Sequence, residues 1–281
     1  MRDTCYFCHN KTVENLINKH QPHPDLAEQF LLSINNFLNE NWDQANPYLA
    51  TGIYRIARNT LNQQELFKEE KYYVNALLIN LYNVWKEMIN KADNSFHLAA
   101  KLAVIGNIID YGAHCVENDI LNQINNLLNK EIAIDESNEL YKKVITAKSI
   151  LYLGDNAGEI VFDKLFIEYL NHPNITFAVR GKPVINDVTY VDAQQVGIDK
   201  YCKVMSNGYD APSTLLEHCS EEFNQAFNKS DIVISKGQGN YEGLMVSKKE
   251  GLFFMLMAKC DPMAELLGVK KGDLVIAQNK I

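Results

Sequence analysis

Three segments of the sequence combine oxygen-bearing side chains, basic side chains and glycines. Residues 154–159 place Asp155 and Asn156 between two glycines, and residues 180–192 contain two basic side chains and two aspartates. Residues 236–242 start with a lysine and are rich in glycine. Carboxylate and amide oxygens are the ligands that hard ions such as Mg²⁺ and Mn²⁺ prefer, and nearby cations suit a phosphoryl group. If these segments meet, they predict metal-assisted chemistry on a phosphorylated compound.

A short apolar run, typical of a β-strand, precedes each of these segments. The runs cover residues 150–153, 175–179 and 232–234, and helical patterns alternate with them. This alternation predicts an α/β fold, with a mostly parallel sheet and helices packed on its faces. Because ligands of such sheets bind at the carboxyl ends of the strands, we expect the three segments to lie together there.

The first half of the chain has the apolar spacing of helices. Apolar residues recur with a helical period over residues 25–38 and 48–61, and through a long stretch over residues 65–89. We therefore predict an all-helical N-terminal domain over residues 1–140 and an α/β domain over residues 141–281.

The composition limits the partners and the compartment. The 281 residues carry a formal net charge of -8, which argues against nonspecific binding to nucleic acid or to an anionic membrane. No apolar run approaches the roughly 20 residues that span a bilayer, and the N-terminus lacks the apolar core of a signal peptide. We therefore expect a cytoplasmic protein, whose six cysteines are reduced thiols or metal ligands. Its oligomeric state is not predicted.

The spacing of the motifs argues against three common phosphate-binding arrangements. The glycines at 237, 239 and 243 do not match the G-x-G-x-x-G pattern that binds dinucleotides. Pro183 stands where a Walker A loop requires Ser or Thr. Ala157 stands where the haloacid-dehalogenase phosphatases have the second aspartate of their pair.

Taken together, the motifs resemble the former domain of unknown function 89, a family now described as metal-dependent damage-control phosphatases. The likeness is carried by residues 154–159, 179–192 and 236–242, and, for the prokaryotic branch of the family, by residues 106–110 and Cys5-x-x-Cys8. It implies a helical N-terminal part packed on a Rossmann-like α/β core. It also implies hydrolysis of sugar phosphates or of damaged phosphorylated metabolites.

The resemblance also assigns roles to individual residues. It implies a divalent metal, Mn²⁺, Co²⁺, Ni²⁺ or Mg²⁺, held by Asp155, Asn156 and Asp192 of the α/β domain. Catalytic roles fall on four side chains: Asp155, Lys236, Arg180 and Glu159. Substrate-binding roles fall on a larger set: Asn107, Asp110, Asn186, Asp187, Gly237, Asn240 and Glu242. Of these, Asp187 is equally well placed to cap the helix that follows it.

Two other functions stay open on the sequence alone. Members of the family have been proposed to methylate protein carboxylates, so an S-adenosylmethionine-dependent methyltransferase is one alternative. The other is a non-catalytic module that binds a metal and a phosphorylated metabolite.

The N-terminal Cys5-x-x-Cys8 motif also has two interpretations. We expect a packed or redox-prone pair of thiols, because a structural zinc site normally needs a second pair of ligands. The alternative is a second metal site completed by His114 and Cys115.

Overall fold

A seven-stranded sheet occupies the C-terminal half of the chain. The computed structural model describes residues 2–108 and 120–280, with side chains from residue 5 onward. The strands in these residues are β1 (Ile132–Asp135), β2 (Ile150–Leu153), β3 (Ile175–Val179), β4 (Lys203–Ser206), β5 (Ile232–Lys236), β6 (Leu252–Met257) and β7 (Leu274–Gln278). Their spatial order is β1-β7-β6-β5-β2-β3-β4. Neighbouring strands are parallel except β6 and β7, so the predicted α/β fold with a mostly parallel sheet is confirmed.

The central strands are buried along their whole length, which explains their unbroken apolar sequences. Every residue of β2 and of β5 is buried. The predicted runs at 150–153 and 175–179 coincide with β2 and β3, whereas β5 continues beyond the predicted run to Lys236. The sequence patterns do not predict β1 or β7. β1 precedes residue 140 and nevertheless pairs with β7 in the sheet. The domain boundary at residue 140 stays a prediction.

Thirteen α-helices accompany the sheet in the described residues. Seven precede it: α1 (Arg2–His20), α2 (Pro24–Asn41), α3 (Asn46–Thr60), α4 (Lys68–Ile79), α5 (Tyr82–Lys91), α6 (Ser95–Ile105) and α7 (Ile120–Leu128). Six alternate with the strands: α8 (Ser137–Val144), α9 (Glu159–Leu170), α10 (Tyr190–Val196), α11 (Glu221–Lys229), α12 (Gly237–Leu244) and α13 (Asp261–Leu267). No helix in the described ranges is long and apolar enough to cross a membrane.

The helical stretch predicted over residues 65–89 is two helices rather than one. The chain turns between α4 and α5, where Asn80 follows the last residue of α4 and Leu81 precedes the first residue of α5. Asparagine favours helix ends over helix interiors because its side chain competes for backbone hydrogen bonds. The turn lets α4 contact α9 and α10, which lie beside the carboxyl ends of the strands.

Apolar side chains form three buried clusters among the described residues. One lies between the sheet and helices that include α6 and α9, and a second lies on the other side of the sheet, under α11 and α12. The third, called the helical core here, is built from α1, α2 and α3. Val184 and Ile185, from the loop after β3, also pack in the helical core. That loop therefore joins the helical half to the edge of the sheet.

An ion-paired contact holds α3 against the sheet domain. Arg55 and Arg58 of α3 both pair with the buried carboxylate of Asp210, and Arg58 also donates to the carbonyl oxygen of Pro183. The two guanidinium groups outweigh the effect of burial and lower the pKa of Asp210 to about 2. This cluster fixes the helical half beside the loop that follows β3.

Candidate active site

Arg180 connects the three segments that were predicted to meet, residues 154–159, 180–192 and 236–242. Its Nη2 lies 3.4 Å from Asp155 Oδ1, after β2, and its Nε lies 2.6 Å from Asp187 Oδ2, in its own loop. Its Nη1 donates to Asn240 Oδ1 of α12 at 3.0 Å. The predicted meeting of these segments at the carboxyl ends of the strands is thus observed in the structure.

Asp155 lies at the centre of the site in a crowded, acidic environment. Its Oδ2 accepts hydrogen bonds from Asn107 Nδ2 at 3.0 Å and from Asn156 Nδ2 at 2.7 Å. Burial raises the pKa of Asp155 well above its usual value, and the negative charges of Glu159 and Asp187 raise it further. A bound cation would offset both effects, since it favours the charged carboxylate.

Asn156 and Asp187 are held side by side by the backbone. The two residues form an isolated antiparallel bridge between the loops after β2 and β3. Around it, the Ala157 amide donates to the Asn186 carbonyl at 2.7 Å, and the Val188 amide donates to the Asp155 carbonyl at 2.8 Å. These bonds place the oxygen-bearing side chains of both loops on the wall of one cavity.

Asp192, the third metal ligand implied by the resemblance, lies elsewhere. It is the third residue of α10, and its Oδ2 accepts from the backbone amide and the hydroxyl of Thr189, both at 2.8 Å, in a capping box. Its carboxylate also pairs with Lys71 Nζ at 2.8 Å and accepts from Asn75 Nδ2 at 3.3 Å, both on α4. The carboxylate that the structure brings to Asp155 and Asn156 is that of Asp187. The Thr-x-x-Asp spacing at 189–192 is the sequence signal for such a cap.

Lys236 and Glu159 are fully buried behind Asp155. The Lys236 Nζ donates to Glu159 Oε1 at 2.7 Å, to Asp163 Oδ1 at 2.5 Å and to the carbonyl oxygen of Ala103 at 2.8 Å. The Lys236 and Glu159 side chains are 0% exposed, so this lysine does not line the cavity where a phosphate would bind. Burial raises the pKa of Asp163 to about 7, although the Lys236 charge opposes the shift.

Glu159 links Lys236 to the side chains around Asp155 through hydrogen bonds. Its Oε2 accepts from Asn107 Nδ2 at 3.0 Å and from Asn156 Nδ2 at 3.2 Å. The same two amide groups donate to Asp155. The Lys236–Glu159 pair therefore orients the side chains that surround Asp155, and its role is one of positioning. Asp110, the other residue expected from the helical half, lies outside the described residues.

A cavity of about 340 Å³ opens in front of these groups. Its polar wall includes Asp155, Asn156, Asn186, Asp187 and Lys259. Its remaining wall comes from the helical half and from α12 and α13, and it includes Cys5, Cys8, His9, Asn46, Ile53, Tyr54, Glu242, Met245, Cys260, Met263 and Leu266. A pocket of this size, mostly apolar with a few convergent polar groups, suits a small metabolite.

Lys259, the basic side chain on the polar wall, is not among the residues predicted from the sequence. It follows β6 and is 9% exposed, and its positive charge lowers the pKa of Asp155 in opposition to burial. Its position just after a strand is the signal that could have identified it. Of the other predicted binding residues, Glu242 lines the cavity and accepts hydrogen bonds from Asn46 and Gln238, each at 2.9 Å.

The sequence model of the damage-control phosphatase ARMT1-like domain matches residues 1–275. The chain belongs to this family. A damage-control phosphatase of Pyrococcus horikoshii is 42% identical over 188 residues, which are 66% of this chain and 66% of that protein. A damage-control phosphatase of Archaeoglobus fulgidus is 30% identical over 89% of each chain. The predicted family and the phosphatase class are therefore confirmed.

One solved structure and one uncharacterised protein are also similar to this chain. The crystal structure of a DUF89 family protein from Pyrococcus horikoshii superposes with a TM-score of 0.88 and 30% identity, and it covers 100% of this chain and 99% of that one. An uncharacterised protein of Methanocaldococcus jannaschii is 36% identical over 82% of this chain and 78% of its own length. The ARMT1-like family fold therefore spans the whole chain.

Proposed function

We propose that this member of the ARMT1-like family hydrolyses phosphate monoesters of small metabolites with a divalent metal held by Asp155, Asn156 and Asp187. The observation that carries the proposal is the pair of buried carboxylates, Asp155 and Asp187, that share Arg180 and line one cavity with Lys259. Sugar phosphates or damaged phosphorylated metabolites, in a cytoplasmic setting, are the substrates that the family resemblance favours.

The donor atoms in the cavity fit a hard divalent ion. Asp155 and Asp187 supply carboxylate oxygens and Asn156 supplies an amide oxygen, which are ligands typical of Mg²⁺ and Mn²⁺. When bound, such an ion polarises a phosphoryl oxygen and activates water. Among the described residues, no three His, Cys, Asp or Glu side chains are already gathered around one point, and the proposed set therefore includes the amide of Asn156 beside the two carboxylates. Mn²⁺, Co²⁺, Ni²⁺ and Mg²⁺ are the ions to compare.

The two basic side chains of the site have different tasks. Arg180 makes charge-assisted contacts with Asp155, Asp187 and Asn240, so it fixes the spacing of the ligands. Lys259 faces the cavity, where its ammonium group can neutralise the phosphate of a substrate. Asp155 is held in place by amide donors from both halves of the chain, which restricts the ligand oxygens to one geometry.

The test is phosphate release by chelator-stripped protein with each metal, on a panel of sugar phosphates and nucleotides. Two aspartates of similar burial provide matched variants: Asp187 is 2% exposed and Asp192 is 3% exposed. We expect Asp187→Asn to lose metal-dependent turnover and to weaken metal binding. We expect folded Asp192→Asn to keep both, since that side chain stabilises α10.

Either of two results would contradict this assignment. If the Asp187→Asn variant released phosphate at the wild-type rate, Asp187 would not be one of the metal ligands. Loss of metal binding by an Asp192→Asn protein that still has the circular dichroism spectrum of the wild type would restore Asp192 as the ligand. Absence of phosphate release with every metal, from wild-type protein that binds one, would refute the hydrolase itself.

A further inference from the structure

Three cysteines from distant parts of the chain line the same cavity. Cys5 and Cys8 lie on α1, three residues apart and hence on one face of the helix, and Cys260 immediately precedes α13. All three thiols are partly exposed. The Cys260 Sγ lies 3.6 Å from Gln238 Nε2, which donates to it. The catalytic groups described above do not include these thiols.

His9 adds an unpartnered nitrogen to this group. It follows Cys5 by four residues on α1, lines the same cavity and is 5% exposed. Its Nε2 is buried without a hydrogen-bond partner among the described residues. Because a buried polar nitrogen without a partner is costly and uncommon, this atom indicates a ligand that the protein alone does not supply.

The charges around the thiols favour a cation. Burial raises the pKa of Cys5, and the negative charges of Glu242, Cys8 and Cys260 raise it further. Burial and Cys260 likewise raise the pKa of Cys8, against a smaller opposite effect of Lys11. Raised pKa values make these thiols poor nucleophiles and poor redox switches. A metal ion would reverse the shifts by stabilising the thiolates.

We propose that Cys5, Cys8, Cys260 and His9 bind a thiophilic metal ion, represented by Zn²⁺, at a site separate from Asp155. Three sulfurs and one imidazole form a common ligand set for zinc, and the Cys-x-x-Cys spacing is typical of such sites. Each thiol that binds releases its proton to solvent. The side chains do not yet surround one point at ligand distance in the described residues, so binding requires their rotation.

This site would tie the two halves of the chain together across the cavity. Cys5, Cys8 and His9 belong to α1 of the helical half, whereas Cys260 belongs to the sheet domain. Gln238 would act as the outer partner that orients the Cys260 sulfur. We expect Zn²⁺ to raise the melting temperature of the full chain, because a ligand that binds the folded state stabilises it.

Cobalt substitution tests the proposal, since Co²⁺ bound to thiolates gives a sulfur-to-metal charge-transfer absorption that oxygen ligands do not give. The full chain, reduced and stripped of metal, is titrated with Co²⁺ and then with Zn²⁺ as competitor. We expect a thiolate–cobalt band that Zn²⁺ abolishes. Single variants Cys5→Ser, Cys8→Ser and Cys260→Ser should each lose or strongly weaken it, and Gln238→Ala should lower the affinity about tenfold.

Matched controls separate this site from the catalytic one. Cys202→Ser and Cys219→Ser, which change thiols outside the cavity, should keep the band, and Asp155→Asn should keep it while losing phosphate release. Absence of the band in the wild type, its survival in Cys260→Ser, or its loss in Cys202→Ser would overturn the proposal. A disulfide found among Cys5, Cys8 and Cys260 by peptide mapping, in protein that binds no Co²⁺ after reduction, would do the same.

Discussion

A methyl group on Gly237 would lie 1.9 Å from the Oδ2 of Asp155. The same oxygen accepts hydrogen bonds from the side-chain amides of Asn107 and Asn156, so the first residue of α12 packs against an oxygen that is already crowded. Gly237 also has a φ of +77°, a backbone conformation that side chains disfavour. Glycine at this position therefore leaves room for the carboxylate of Asp155.

Replacing Gly237 by alanine should damage catalysis more than stability. We expect Gly237→Ala to lower kcat/KM by about 100-fold, because the added carbon must displace Asp155. The control is Gly268→Ala: Gly268 has a similar φ of +70° but nothing within 4 Å of the added carbon. That variant should lose about 1–2 kcal/mol of stability and keep its activity. Equal kinetic losses in both variants would show that backbone strain alone is responsible.

The two lysines of the site should respond differently to removal of their charge. We expect Lys259→Met to weaken competitive inhibition by inorganic phosphate about 10- to 100-fold, the range for loss of a charged hydrogen bond. Lys236→Met should leave phosphate affinity nearly unchanged and instead lower kcat and the free energy of unfolding, because it leaves Glu159 and Asp163 buried without their cation. The inhibition constant for phosphate and the free energy of unfolding in urea, measured for both variants, distinguish a phosphate-binding lysine from a positioning lysine.

The Lys71–Asp192 pair should contribute to stability. Both side chains are buried, and Lys71 also pairs with Glu65 at 2.7 Å. We expect Asp192→Ala to lower the free energy of unfolding by about 2–4 kcal/mol, because it removes one of the two carboxylates that pair with buried Lys71 and also removes a helix cap. Urea unfolding measures the loss. A midpoint equal to that of the wild type would show that Asp192 is not the anchor of α10.

Acid should loosen the contact between α3 and the sheet domain. The pKa of Asp210 is lowered from 3.8 to about 2, so its ion pairs stabilise the fold fully above the higher value and are lost as pH falls toward the lower one. We expect the wild type to lose stability more steeply than Asp210→Asn between these two pH values. Urea unfolding of both proteins across that range tests this difference, and parallel pH curves would contradict it.

The short apolar runs of the buried strands made the α/β architecture predictable. The apolar runs at 150–153 and 175–179 are the strands themselves, since a parallel strand covered on both faces has little choice of residue. The edge strand β1 and its neighbour β7 were harder to predict, because β1 alternates between partly exposed and exposed residues and β7 ends in partly exposed ones.

Two predicted site residues, Lys236 and Asp192, do not line the cavity, and the reason is local geometry that spacing does not reveal. Lys236 is the last residue of β5, and the two-residue period of a strand places it on the same face as Ile232 and Ile234 and not at the sheet edge. Asp187 rather than Asp192 reaches Asp155 because α10 begins only at Tyr190 and the loop before it turns sharply at Ile185, where φ is +43°. Sequence spacing alone does not predict that turn.

The loop after β3 also bears on how this enzyme can diversify. Val184 and Ile185 pack in the helical core, while the next two residues, Asn186 and Asp187, line the catalytic cavity. The helical half is therefore not an exchangeable lid, because replacing it would remove the packing that holds Asp187 in place. The cavity face of α3 is constrained in the same way, because Ile53 and Tyr54 line the cavity and also pack in the helical core.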